Sequence, residues 1–182
     1  MYLEHYGLNE PPFSITPDPR FVHLSERHRD ALAHLLFGID KGGGGGFVQL
    51  TGEVGTGKTT LVRSLLAREP SGVEIALVLN PRVTVPEFLL TLCEELGISM
   101  PGSASGSVKA LVDALSAHLL AAHAAGRRVA VIIDEAHLLE RDVLEQVRLL
   151  TNLETSTRKL LQVILIGQPE LRERLAREDL RQ

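Results

Sequence analysis

Apolar residues along the chain alternate between the spacing of strands and the spacing of helices. Short runs of unbroken apolar and β-branched residues predict strands that are covered on both faces. Longer segments with apolar residues three and four positions apart predict helices that bury one face. Four strands are expected, at 47–50, 73–79, 129–133 and 160–166. Helices are expected at 59–67, 85–96, 108–125 and 139–153, with another beginning after Pro169.

A lead-in precedes the first predicted strand, and its four prolines predict an extended, turn-rich segment. A helix should follow, with Ser25 as its N-cap and its end near Gly38. The five consecutive glycines at 42–46 then predict a flexible joint. We therefore divide the chain into a lead-in and helix at 1–41 and a core at 42–182.

Alternating strands and helices predict a parallel sheet with helical crossovers, and hence a three-layer α/β domain. The length of 182 residues suits one compact domain. A net charge of -4 gives no basic excess of the kind that marks nucleic-acid binding. The single cysteine, Cys93, excludes an internal disulfide and falls in an apolar helix pattern, so we expect it in the core. We expect no signal peptide and no membrane span.

A phosphate-loop pattern follows the first predicted strand. Residues 52–59 read GEVGTGKT and match G-x-x-x-x-G-K-[ST] at every position. Its glycines let successive N–H groups converge on phosphate oxygens, and the following helix N-terminus attracts the anion. Lys58 would face the β- and γ-phosphates, and the register favours Thr59 over its neighbour as the Mg²⁺ ligand. The predicted nucleotide-binding residues are Gly52, Glu53, Val54, Gly55, Thr56, Gly57, Lys58, Thr59 and Thr60.

Two carboxylates follow the third predicted strand directly. Asp134 and Glu135 would lie at the carboxyl edge of the sheet, where the phosphate loop also lies. We expect Asp134 to orient Mg²⁺ through its water shell and Glu135 to act as general base. Gln168 ends the fourth strand, where it would hold the attacking water or sense the γ-phosphate, unless it is a helix cap. The predicted catalytic residues are Lys58, Glu135 and Gln168, and the predicted metal ligands are Thr59 and Asp134, in an ATP–Mg²⁺ site.

Residues 134–137 read DEAH, which is also the box of one helicase class. That class places a Ser-Ala-Thr triplet after the next strand, whereas this chain has Gly-Gln-Pro at 167–169. We therefore do not favour a helicase. His137 would contact a partner or the phosphate region, or be a satisfied surface imidazole. In the last helix, Glu170 and Arg174 are four residues apart, which predicts a solvated, self-paired face.

With both motifs placed, the whole chain resembles the ATPase region of the general secretion pathway protein A (ExeA-like) family, a branch of the AAA+ ATPases. The segments that carry the resemblance are Tyr6-Gly7-Leu8, Pro12-Phe13, Pro17-Asp18-Pro19-Arg20-Phe21, Ser25-Glu26-Arg27-His28, Ala31-Leu32, Leu149-Leu150-Thr151-Asn152-Leu153-Glu154-Thr155 and Ile166-Gly167-Gln168-Pro169-Glu170-Leu171.

The resemblance implies a cytoplasmic ATPase at the inner membrane. With a membrane partner of the general secretion pathway protein B type, it would help to assemble or localise the outer-membrane secretin of a type II secretion system. It also implies a homo-oligomer in the complete protein, no direct nucleic acid, and a lead-in at 6–29 that lines the adenine pocket.

Family members continue with a fifth strand, a helical lid, a membrane span and a periplasmic region. We therefore expect a P-loop NTPase (AAA+) core without the lid, with the phosphate-loop strand at the sheet edge and with weak or no turnover. Two other functions stay open: a DNA-transposition accessory ATPase, which DNA-stimulated hydrolysis would favour, and a nucleotide-gated binding module without significant turnover. A small-molecule kinase fits less well, because no Arg-rich lid insertion is present.

Overall fold

The computed structural model describes residues 2–11, 24–41, 46–68, 70–100, 107–155 and 158–177. The strands are β1 (Phe47–Thr51), β2 (Val73–Val78), β3 (Arg128–Ile133) and β4 (Leu161–Gly167). The helices are α1 (Tyr2–His5), α2 (Glu26–Lys41), α3 (Lys58–Leu66), α4 (Val85–Glu95), α5 (Val108–Ala124), α6 (Arg141–Thr151) and α7 (Pro169–Leu175). The extended, turn-rich lead-in was predicted over 1–21, but its start forms the short helix α1 instead. The remainder of that prediction at 12–21, the joint at 42–45 and the loop at 101–106 lie outside the described residues.

The four strands form one parallel sheet in the order β1-β4-β3-β2. The predicted parallel α/β fold is confirmed, and β1, which leads into the phosphate loop, is an edge strand of the described sheet, as expected. Because β4 lies between β1 and β3, the carboxyl end of β4 is flanked by the two segments that carry the predicted site. A crevice at this edge is where open α/β sheets bind ligands.

Helices cover both faces of the sheet, so the three-layer prediction is also confirmed. On β3, Val129, Val131 and Ile133 pack into a cluster with residues of α4, α5 and α6. Ala130 and Ile132, the alternate residues of the same strand, pack with residues of α2 and α3. Strand side chains alternate between faces, so an unbroken apolar strand supplies both layers.

The predicted end of α2 near Gly38 is wrong, because the helix continues to Lys41. Gly38 is buried, and a Cβ at this position would clash with Val48 Cγ2 of β1. The glycine therefore permits a close approach of helix and strand instead of ending the helix. Glycine alone does not distinguish these two uses in a sequence.

Helix α4 begins at a local hydrogen-bonded cap. The backbone N and the Oγ1 of Thr84 donate to Glu87 Oε2 at 2.8 and 2.7 Å. These hydrogen bonds favour the ionised carboxylate and lower the pKa of Glu87 below its usual 4.5. Farther along the helix, Cys93 is buried in the core as expected, and this burial raises the pKa of its thiol. Within the described ranges, no helix is both long and apolar enough to cross a membrane.

Candidate active site

The phosphate loop runs from the end of β1 to the start of α3. Its first residue is anchored to the neighbouring strand, because Gly52 N donates to Gly167 O at 3.2 Å. Gly55 and Gly57 have φ of 79° and 82°, a left-handed conformation that favours glycine. A Cβ at Gly52 would lie 2.8 Å from Thr56 Oγ1, so the loop also needs glycine there for space. The backbone is thus shaped as a phosphate-binding turn requires.

Lys58 is the first residue of α3, and its side chain lies over its own loop. The Nζ donates to Gly52 O at 2.8 Å and to Glu53 O at 2.9 Å. Thr56 Oγ1 donates to the same carbonyl of Glu53 at 2.7 Å. These bonds hold the ammonium beside the helix N-terminus, where two sources of positive potential add together. Among the other loop positions, Val54 is exposed.

A hydrogen bond joins the start of α3, at the end of the phosphate loop, to the residue that follows β3. Thr59 Oγ1 donates to Asp134 Oδ2 at 2.9 Å, although the two residues are 75 positions apart. Asp134 is only 4% exposed, and its other oxygen, Oδ1, accepts from Glu135 N at 2.9 Å. The structure thus brings the hydroxyl of Thr59 to the acidic strand end. A threonine hydroxyl beside a carboxylate is a set of oxygen donors that fits Mg²⁺.

Glu135 has a strained backbone. Among the described non-glycine residues it alone has a positive φ, of 51°. A left-handed residue with a long side chain costs about 1–3 kcal/mol, and such residues cluster at functional sites. The left-handed conformation of Glu135 turns the chain out of β3 and into a 3-10 turn at Ala136–Leu138. Helix α6 therefore begins at Arg141, two residues later than expected.

Gln168 follows β4 at the N-cap position of α7. Its side chain makes no capping hydrogen bond to that helix, which weakens the helix-cap alternative. Its backbone N lies 3.5 Å from His137 Nδ1. The pairing of Thr51 with Gly167 places Gln168 next to the first residue of the phosphate loop. The polar end of β4 therefore lies between the loop and the acidic strand end.

Two side chains that contact the site were not identified from the sequence. His28, near the start of α2, places its Nε2 3.0 Å from Thr56 O in the phosphate loop. Because a carbonyl only accepts, Nε2 carries the proton and Nδ1 accepts from Ser25 Oγ at 2.9 Å. Ser25 Oγ also accepts from His28 N at 3.3 Å, as expected of an N-cap. The Ser25–His28 segment was recognisable as part of the resemblance, but its contact was not.

The second residue is Arg174 of α7. Its guanidinium donates to the carbonyls of His137 and Leu139, the latter at 2.6 Å. The predicted solvated, self-paired face is therefore wrong for Arg174, because the guanidinium holds the turn that carries Glu135. A spacing of four residues shows only which side chains share a helix face, and the neighbouring turn competes for the same donor.

The fold and these motifs define a P-loop NTPase, and comparison with known families agrees. A family described as "AAA domain" matches residues 40–175, and the chain belongs to this family. Membership supports nucleotide binding and ATPase activity in general terms. The chain is also 53% identical over all 182 residues to General secretion pathway protein A of Aeromonas hydrophila, which confirms the resemblance found in the sequence. It spans 32% of that relative's length.

Solved structures support the fold alone. Cdc6p from Pyrobaculum aerophilum has a TM-score of 0.65 at 18% identity, covering 94% of this chain and 45% of that one. The ORC2 protein of Aeropyrum pernix, in its ADPNP-ADP complexes, has a TM-score of 0.61 at 18% identity, covering 89% and 46%. At such low identity these similarities do not indicate a shared substrate or partner.

Proposed function

We propose that this chain binds ATP with Mg²⁺ and hydrolyses it at the carboxyl edge of the sheet. The observation that carries the proposal is the 2.9 Å hydrogen bond between Thr59 and Asp134, which joins the phosphate loop to the acidic strand end. A glycine-rich turn by itself would bind many anions. A threonine and a buried aspartate beside that turn add the oxygen ligands that a nucleotide-bound cation requires.

Each residue of the site has a distinct role in this proposal. The loop backbone and Lys58 bind the β- and γ-phosphates and stabilise the negative charge that develops during transfer. Glu135 accepts a proton from water as the water oxygen attacks the γ-phosphorus. The bond between the γ-phosphorus and the oxygen that bridges the β- and γ-phosphorus atoms breaks, and ADP and phosphate leave. Gln168 orients the water or the γ-phosphate through its side-chain amide.

Thr59 and Asp134 would hold the Mg²⁺ that accompanies ATP, Thr59 as a ligand and Asp134 through coordinated water. When bound, the cation neutralises charge on the β- and γ-phosphate oxygens. The chain itself contributes a buried carboxylate that is already oriented by two hydrogen bonds. Little reorganisation is therefore needed at the protein side of the site.

Nucleotide binding and single-turnover hydrolysis test these roles separately. Lys58→Ala should abolish binding of a fluorescent ATP analogue, whereas Glu135→Gln should bind it normally and lose hydrolysis. Glu140 is an exposed carboxylate five residues farther along. Glu140→Gln is therefore the matched control, and it should bind and hydrolyse ATP as the wild type does. Unchanged hydrolysis in Glu135→Gln would remove Glu135 from the base role, and normal ATP binding by Lys58→Ala would contradict the site.

We also propose that turnover by this chain alone is weak. The support is that β1, which positions the phosphate loop, is an edge strand of the described sheet and has one neighbour instead of two. A kcat of roughly tens per second from a monomer, in the range of efficient phosphoryl-transfer enzymes, would contradict this. A nucleotide-gated module would instead change its oligomeric size with ATP and show no hydrolysis in any assembly.

The biological role that we propose follows the relative with 53% identity. In its longer form the protein would work at the cytoplasmic side of the inner membrane, as a homo-oligomer with a general secretion pathway protein B type partner, to assemble or localise a secretin. Glu135→Gln in that longer protein should then block secretin assembly while the partner still binds. Normal assembly, or ATPase activity stimulated by DNA, would favour the transposition-accessory alternative.

A further inference from the structure

His137 lies between the two ends of the site that the proposed reaction uses. It belongs to the 3-10 turn after β3, and its side chain is 12% exposed. Its Nδ1 is 3.3 Å from Glu135 Oε2 and 3.5 Å from the backbone N of Gln168. One nitrogen atom therefore lies within reach of the predicted base and of the end of β4.

Glu135 Oε2 makes this contact significant. The oxygen is buried and has no aligned hydrogen bond within the described residues, although it lies within ion-pair distance of His137 Nδ1. A small rotation of the imidazole or the carboxylate would align Nδ1 and Oε2 for a hydrogen bond at this distance. A buried carboxylate oxygen that keeps no partner is costly.

The two neighbours of Nδ1 make opposite demands on it. Oε2 of Glu135 can accept a hydrogen bond from Nδ1 only if Nδ1 carries a proton. The backbone N–H of Gln168 can donate to Nδ1 only if Nδ1 is unprotonated. Both bonds cannot exist at once. Each protonation form of Nδ1 thus favours one neighbour, and a movement of either neighbour favours one form.

The turn that carries His137 is fixed from outside. At Gly167 a Cβ would lie 3.2 Å from His137 N and 3.4 Å from Nδ1, so β4 approaches the imidazole as closely as a glycine allows. From α7, Arg174 donates to the carbonyls of His137 and Leu139. With both sides of the turn held, the imidazole has little room to leave Glu135.

We propose that His137 is a positioning residue that orients the Glu135 carboxylate through Nδ1 and couples it to the end of β4 at Gln168. This inference rests on the proposed ATP hydrolysis. A displacement of Gln168 by the γ-phosphate would weaken its N–H contact and release Nδ1 for Glu135. In this role His137 acts through Glu135, and not directly on the nucleotide or the attacking water.

Two substitutions distinguish this role from simple packing. Asparagine places its amide near the position of Nδ1, whereas glutamine reaches toward the position of Nε2. His137→Asn should keep most of the single-turnover hydrolysis rate, and His137→Gln and His137→Ala should lose about 10- to 100-fold, as expected for a misplaced catalytic group. The Kd for ATP should be the same in all three. An equal loss in all three variants, an unaffected His137→Gln, or a parallel loss of ATP affinity would overturn the proposal.

A second measurement does not depend on hydrolysis. In a long-range ¹H–¹⁵N spectrum, the Nδ1 resonance of His137 should move in Glu135→Gln and stay in place in Glu140→Gln. If the Nδ1 chemical shift is the same in Glu135→Gln as in the wild type, the contact is contradicted. This measurement keeps His137 in place, so it does not depend on whether a His137 variant folds. Failure of the wild-type chain to bind ATP would instead contradict the proposed function, so the two failures are distinguishable.

Discussion

The hydroxyl of Thr59 donates to the carboxylate of Asp134 at 2.9 Å. This bond spans the carboxyl end of β4, which lies between β1, the strand before the phosphate loop, and β3, the strand before Asp134. Thr59 is the second residue of α3, and Asp134 is the first residue after β3. The neighbouring Thr60 provides a matched control. The measured quantity is the ratio of ATP affinity with Mg²⁺ to ATP affinity without it. Thr59→Ala should lower this ratio by about tenfold or more, and Thr60→Ala should leave the ratio unchanged. Titrating ATP with and without Mg²⁺ checks both variants, and equal effects would contradict the assigned register.

The contact of His28 with Thr56 O predicts an effect on binding. Because Nε2 is the donor, glutamine can reproduce the bond and asparagine cannot. His28→Asn should weaken ATP binding about three- to tenfold, the value of one hydrogen bond, and His28→Gln should retain most of the affinity. Calorimetric titration with ATP checks this. Equal affinity in both variants would show that the loop keeps its shape without α2.

Packing of α2 on β1 depends on the absence of a side chain at Gly38. Gly38→Ala should lower the free energy of unfolding by about 1–3 kcal/mol, because the new methyl group meets the stiff, branched side chain of Val48. Denaturant unfolding of the two single variants and of the double variant with Val48→Ala gives the coupling. The double variant should lose less unfolding free energy than the two single variants lose together, because Val48→Ala removes the side chain that the new methyl group meets. Simple additivity of the two losses would contradict the clash.

The cap of α4 predicts a pH dependence of stability. The folded pKa of Glu87 is lowered, so the stability that its carboxylate contributes is present above the usual value of 4.5 and is lost as pH falls through the folded pKa. Glu87→Gln should therefore lower the Tm at pH 7 and have less effect in stronger acid. Thermal unfolding across this range checks the sign, with Glu94→Gln of the same helix as control. A loss in Tm that is as large in acid as at pH 7 would contradict it.

Much of the fold was predictable because its determinants are local. The apolar runs at 129–133 and 160–166 became β3 and β4 within one residue, since each strand is short and covered on both faces. The end of α2 was not predictable, because Gly38 ends no helix and instead fits against Val48, a residue of another element. Local patterns report a residue's own conformation and carry no information about which neighbour it meets.

The same division applies to the site. The residue types at 52–59 and 134–135 and their positions at strand ends were sufficient to predict a phosphate loop opposite two carboxylates. The contacts of His28 and Arg174 were not predictable, because each joins a helix to a backbone carbonyl on another element. Any backbone offers such an acceptor, so no residue type in the partner marks it.

The sequence by itself determined the parallel α/β class and the two motifs, because periodicity and a fixed spacing are properties of the chain, and its resemblance to a known family indicated the family. The tertiary structure decided the hydrogen bond of Thr59 to Asp134, the left-handed backbone of Glu135, and the place of His137 between Glu135 and Gln168. These depend on strand order and on how closely β4 and α7 approach the turn after β3. Only the packed fold defines those distances.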